Sequence, residues 1–194
     1  MSKGKGIYMK NLSNLVWVKG RKTLLCKTRI ADITEVEYSS PEGKTSPFIV
    51  MDAPDWVITV PLLQKDGEDF FIMVKQWRHG AGQMSIEFPG GVINEGEIPE
   101  DGARRELLEE TGYNAGKLIH LGSVFTNPAI MSNKIHFFAA MDLKNTKIQQ
   151  LDDDEYVDFL IEPVTKIYGS MGEEPYIHAL MCAALDMYKR KVLN

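Results

Sequence analysis

Between positions 105 and 110 the chain reads Arg-Glu-Leu-Leu-Glu-Glu, setting Glu106, Glu109 and Glu110 at i, i+3 and i+4. On a helix that spacing gathers three carboxylates on one face. Like charges so placed destabilise an isolated helix by roughly 0.2–0.5 kcal/mol per pair, and by more where the face is buried. Arg105 can reach Glu109 across one turn, which leaves Glu106 and Glu110 without an obvious local partner. Clustered hard oxygen donors suit Mg²⁺ or Mn²⁺, ions that accept carboxylates, carbonyls, water and phosphate oxygens together. Three glutamates alone also describe a solvated acidic face. The residues around them have to decide.

The elements that would hold this face can be read on either side of it. Pro99 to Thr111 has helical composition, with Pro99 suited to the first turn and Gly112 to the position just past the last. Gly90-Gly91 lets the backbone turn tightly and bring a carbonyl close to an ion. Trp56–Val60 and Phe70–Val74 are rich in β-branched and aromatic residues, and Lys65-Asp66-Gly67-Glu68 between them reads as a hairpin loop. Lys117–Phe125 and Lys134–Leu143 read as further strands, parted by a loop from Thr126 to Asn133. Earlier in the chain, Leu15–Val18, Thr23–Thr28 and Ile33–Tyr38 are strand-like, and Pro41-Glu42-Gly43 supplies a turn. Toward the end, the acidic run Asp152–Glu155 precedes a strand from Tyr156 to Ile161, and Pro163–Tyr168 forms a short helix. Ile177, Leu180, Met181, Ala184, Leu185 and Tyr188 then recur at helical spacing over Tyr176–Val192. The expectation is an α+β fold.

Composition excludes several classes. A length of 194 residues with 44 % hydrophobic content supports one principal core. A net charge of −5 disfavours a nucleic-acid backbone as partner, because such proteins present a basic face. Cys26 and Cys182 lie far apart without ligand-spaced neighbours, so neither a zinc site nor a disulfide framework is expected. The longest apolar stretch, Val57 to Leu63, is too short to span a bilayer, and a soluble cytoplasmic protein is expected. His79, His120, His136 and His178 lack ligand spacing and read as structural, and Gly80 and Gly82 form no dinucleotide fingerprint.

Gly91, five residues, Glu97, seven residues, then Arg105-Glu106-Leu107-Leu108-Glu109-Glu110-Thr111-Gly112-Tyr113 matches G-x5-E-x7-R-E-U-x-E-E-x-G-U, with U apolar, at every fixed position. On this motif the chain resembles the Nudix hydrolases. The resemblance implies a mixed β-sheet sandwiched between α-helices, here residues 53–194, with residues 1–52 as an added β-rich segment. It implies Mg²⁺ or Mn²⁺ held by Glu106, Glu109, Glu110 and the Gly90 carbonyl, with Arg105 supporting Glu97 or Glu109. The implied reaction is hydrolysis of a diphosphate linked to another moiety.

Residues beyond the motif narrow the substrate. Gln76-Trp77-Arg78, Glu87-Phe88-Pro89-Gly90-Gly91, Pro128 fifteen residues past the motif and the acidic loop ending at Glu155 are similar to the ADP-ribose pyrophosphatase branch. In that branch the proline goes with ADP-sugar substrates, and a carboxylate of the acidic loop, here Glu155 or Asp153, activates water. The branch also uses its N-terminal segment to form a homodimer. Asn127-Pro128-Ala129 departs from the branch's Ser-Pro-Gly, and Trp77 replaces a smaller aromatic residue. GDP-mannose, another nucleotide sugar or a dinucleotide therefore stand as alternatives to ADP-ribose, and a non-catalytic nucleotide-sugar sensor as the reading from another class. Arg78 is a candidate clamp on phosphate or ribose, since a guanidinium can bond two oxygens at once. Trp56 and Trp17 are candidates to stack on a purine, although a strand tryptophan more commonly serves the core.

Overall fold

The computed structural model describes residues 13–146, 149, 151 and 156–193. These divide into two compact units: the chain up to residue 53 together with 127–133, and residues 54–126 with 134–194. The first unit is a three-stranded antiparallel sheet of β1 (Val18–Lys27), β2 (Asp32–Ser39) and β3 (Thr45–Asp52), in that order. Leu15 lies in a 3₁₀ turn at Ser13–Leu15 rather than in a strand, and β1 runs unbroken through the positions expected to separate two strands. Register shifts between Lys19 and Lys22 and between Leu24 and Cys26 absorb that length. The turn over Pro41-Glu42-Gly43 connects β2 to β3, with Gly43 at φ 85°. Residues 127–133 join this unit through Met51 N–H to the Ile130 carbonyl (2.7 Å) and Ser132 N–H to the Met51 carbonyl (3.1 Å).

The second unit holds β4 (Trp56–Lys65), β5 (Glu68–Arg78), β6 (Gln83–Glu87), helix α1 (Pro99–Thr111), β7 (Tyr113–Phe125), β8 (Lys134–Asn145), β9 (Asp158–Pro163), α2 (Val164–Ser170) and α3 (Ala179–Tyr188). The sheet order is β6-β5-β4-β8-β7, with β9 on β5, and it is mixed: β4 runs parallel to β8 while the other pairs are antiparallel. Asp66 and Gly67 both take positive φ (54° and 85°), the geometry that a two-residue hairpin between twisted strands requires. β9 starts at Asp158, later than the apolar run suggested. α3 starts at Ala179 because His178, in extended conformation, caps it.

Alternation along the central strands explains the layering. Ile58, Val60 and Leu62 of β4 join Ile135, Phe137 and Ala139 of β8 in a core that includes Met181, Ala184 and Leu185 of α3. The intervening Val57 and Phe138 pack instead with Ala103 of α1, and Ile72 and Ala140 pack with Leu107 of α1. A sheet buried on both faces needs a helix on each. The sequence therefore gives a mixed sheet between helices, as expected, and it seats α1 through Ala103 and Leu107, both fully buried.

Candidate active site

Helix α1 is bounded by its own sequence. Pro99 sits in the first turn, Glu100 and Asp101 face the positive helix end, and Gly112 leaves the last turn at φ 70° while donating its N–H to the Leu108 carbonyl at 2.8 Å. Because Ala103 and Leu107 anchor one stripe, the residues flanking it on the same side are drawn inward. Glu106 is 8 % exposed and Glu110 4 % exposed. Burial without a counter-charge would be costly, and the surrounding chain supplies the compensation.

Much of it comes from the segment between β6 and α1, which runs beside β4. Thr59 N–H donates to the Pro89 carbonyl, Val57 N–H to the Gly91 carbonyl and Ile93 N–H to the Asp55 carbonyl, each at 2.9 Å. So fixed, Gly90 donates its N–H to Glu110 Oε2 at 2.8 Å. A side chain at Gly90 would collide with the Val57 carbonyl oxygen, and one at Gly91 would come within 2.5–2.7 Å of the Glu106 carboxylate. Both glycines are thus places where backbone and carboxylate approach closely. Position 110, without an obvious helical partner in the sequence, finds this one across the fold.

Arg105 serves the other carboxylates. Its Nε and Nη2 bond Glu97 Oε1 and Oε2 at 2.9 and 3.0 Å, and its Nη1 bonds Glu106 Oε1 at 2.8 Å and Glu109 Oε2 at 3.0 Å. Nη2 also donates to the Val92 carbonyl at 2.9 Å. One guanidinium thus meets Glu97, Glu106 and Glu109 together. Arg105 holds the Glu97 carboxyl below the usual carboxylate range, aided by the Asn94 N–H, and these carboxylates push the Arg105 guanidinium further up. Among the described residues, no group of three or more His, Cys, Asp or Glu side chains is gathered closely enough to hold a metal ion. The donor chemistry nevertheless fits a hard divalent cation: buried carboxylates on one helix, against a glycine backbone that leaves no room for a side chain. A cation there would compete with Arg105 for Glu106 and Glu109.

Arg78 and Glu87 form a second cluster. Arg78 Nε meets Glu87 Oε1 at 2.8 Å and Nη2 meets Oε2 at 2.6 Å, a bidentate pair across β5 and β6. Glu87 is 1 % exposed, whereas the Arg78 side chain keeps 40 % of its surface. Burial pushes the Glu87 carboxyl up, but the paired guanidinium outweighs it and leaves the group below the usual range. Glu110 is near enough to help raise the pKa of Arg78, so the two clusters sense each other's charge.

The remaining expected residues are dispersed. Trp56 is half-buried at the start of β4, opposite Ile135, and packs against the main core. Pro128 belongs to the first unit, where it lines a cavity of about 450 Å³ with Trp17, Tyr38, Phe48 and Asp52. Glu155 and Asp153 lie outside the described residues. His178 read as structural in the sequence. It faces Glu87 at 3.9 Å, a proximity that sequence spacing could not reveal across more than ninety positions. No helix among the described residues is long and apolar enough to cross a membrane.

The chain is 34 % identical over 133 residues to an ADP-ribose pyrophosphatase of Bacillus subtilis, covering 68 % of this chain and 70 % of that one. It is 32 % identical over 133 residues to a methanol dehydrogenase activator of Bacillus methanolicus, with the same coverage. A crystal structure of an ADP compounds hydrolase superposes with a TM-score of 0.77 at 21 % identity, spanning 90 % of this chain and 92 % of the other, so the fold is shared. The NUDIX domain model matches residues 54–179, which include β4, the glycine pair and the whole carboxylate helix. On that match the chain belongs to the Nudix hydrolases, as an enzyme of the ADP-ribose pyrophosphatase-like kind.

Proposed function

We propose that the enzyme hydrolyses the pyrophosphate bond of a nucleoside diphosphate sugar, with ADP-ribose cleaved to AMP and ribose 5-phosphate. The observation that carries this reading is the pair of buried carboxylates, Glu106 and Glu110, packed against Gly91 and Gly90 on one helix. Glu106, Glu109 and Glu110, with the Gly90 carbonyl, would hold Mg²⁺ or Mn²⁺. When bound, such ions offset the charge of a pyrophosphate and make water acidic enough to attack phosphorus near neutral pH. Arg105 holds Glu106 and Glu109 on the helix, and Arg78 turns the exposed part of its guanidinium to phosphate or ribose oxygens while Glu87 fixes its orientation. Glu155 is the proposed acceptor of the attacking water's proton. As the new P–O bond forms, the bond from that phosphorus to the bridging oxygen breaks, and the bridging oxygen leaves on the other phosphate.

A nucleotide, rather than pyrophosphate alone, is supported by the likeness to the Bacillus subtilis relative. The first unit supports a homodimer with residues 1–52 at its interface. Every residue of β1 is exposed, and Leu15, Val16, Val18, Leu24, Leu25 and Ile30 are each more than half exposed. A cytoplasmic location is part of the same reading.

Reaction in ¹⁸O-labelled water with Mg²⁺, followed by mass analysis of the products, tests the chemistry. The expected result is AMP and ribose 5-phosphate with one label on one of the two phosphates. Cleavage of GDP-mannose in preference to ADP-ribose would keep the reaction and reassign the base. Binding of nucleotide sugars without any product would make the chain a sensor.

A further inference from the structure

The start of α3 and the segment leading into it meet three successive residues at and just past the end of β6. Ile86 N–H donates to the Pro175 carbonyl at 3.0 Å, Phe88 N–H donates to Met181 Sδ at 2.9 Å, and between them Glu87 lies 3.9 Å from His178 Nε2. His178 has a second task. Its Nδ1 accepts the Leu180 N–H at 3.1 Å and caps α3. An imidazole whose Nδ1 accepts carries its proton on Nε2 when neutral, so the cap sets the tautomer and directs an N–H toward Glu87. At 3.9 Å the contact is electrostatic rather than a hydrogen bond. Glu87 in turn fixes both nitrogens through which Arg78 is held.

We propose that His178 is a positioning residue: it orients Glu87, and through Glu87 the Arg78 guanidinium, for the pyrophosphate-bearing substrate. The proposal rests on Arg78 meeting substrate as described above. Among the described residues, the charged groups acting on the ring are Glu87 of β6 and Arg78 at the end of β5. Burial and Arg78 lower the His178 pKa and Glu87 raises it, for a net value below the ordinary one, which keeps the ring neutral at neutral pH. Protonation changes both contacts at once. A proton on Nδ1 removes the acceptor for Leu180 N–H, and the new positive charge competes with Arg78 for Glu87.

His178→Asn separates the two tasks, since the Asn side chain still caps the helix but presents no imidazole to Glu87. The experiment compares KM and kcat for ADP-ribose with Mg²⁺ in wild type and variant between about pH 5 and 8. The expected outcome at neutral pH is a KM about threefold to tenfold higher in the variant with kcat nearly unchanged, at most about 1.4 kcal/mol of binding. In wild type KM rises as pH falls through the His178 ionisation, and in the variant that rise is absent. Equal KM values with the same pH profile would overturn the proposal. A second readout is independent of turnover: the His178 ring is titrated by NMR in the metal-free protein, with and without Arg78→Gln. Loss of the guanidinium should raise the ring's pKa. A titration indifferent to Arg78→Gln would overturn the positioning role, whereas failure of both proteins to cleave any nucleotide sugar would overturn the proposed function and leave the titration result standing.

Discussion

Arg105 meets Glu97, Glu106 and Glu109 with one guanidinium, and each bond offsets repulsion that the neighbouring carboxylates exert on one another. Replacing it with Met keeps much of its bulk and removes the charge. Arg105→Met should lower unfolding stability by about 1–3 kcal/mol, discounted because the side chain is partly exposed. Urea titration measures this, and added Mg²⁺ should recover part of the loss, since a divalent ion bound to the same carboxylates stabilises the folded state by mass action. A variant as stable as wild type in the absence of metal would show that the network contributes little. Among the residues, those fixed by chain-local spacing were legible: the three glutamates, Arg105 and the glycine pair stand where the motif puts them. The partners that cross the fold were not, because Gly90 reaches Glu110, and His178 reaches Glu87, only after strands and helices have packed.

At the scale of elements, the segment from Phe88 to Ile93 connects sheet chemistry to helix chemistry. Its carbonyls pair with β4 as a strand's would, and this sets Gly90 against Glu110. Gly90→Ala should destabilise the fold by about 1–3 kcal/mol, because the clash is with the Val57 carbonyl and the backbone of Ile58, which cannot rotate away. Gly91→Ala first meets the end of the Glu106 side chain, which can move. It should therefore cost less stability than Gly90→Ala, and thermal melts of the two variants give the comparison; the reverse order would contradict this view of the segment. The bounds of α1 were readable to the residue because Pro99 and Gly112 punctuate it. Those of β1, β9 and α3 were not. Strand length is set by pairing and register, and Tyr176–Ile177 have helical periodicity yet precede a helix whose first N–H groups are capped by His178.

For the whole molecule, the described residues of the first unit include few buried apolar ones, Ala31 and Val36, and every residue of β1 is exposed, which is too little core for a three-stranded sheet standing alone. The proposed homodimer answers that need. Sedimentation at micromolar concentration should give about twice the mass of one 21.9 kDa chain, and a monomer would remove the dimer. The central claim is hydrolysis dependent on a metal held by the carboxylate helix, and it is tested most directly by ADP-ribose turnover of wild type and Glu110→Gln, each with Mg²⁺ and with excess chelator. The Gln side chain can still accept the Gly90 N–H, so the fold should persist. Wild type with Mg²⁺ should be active, chelator should abolish its activity, and Glu110→Gln should lose roughly 10²–10⁴-fold in kcat at an unchanged melting temperature. Turnover that survives both the chelator and the substitution would contradict the claim.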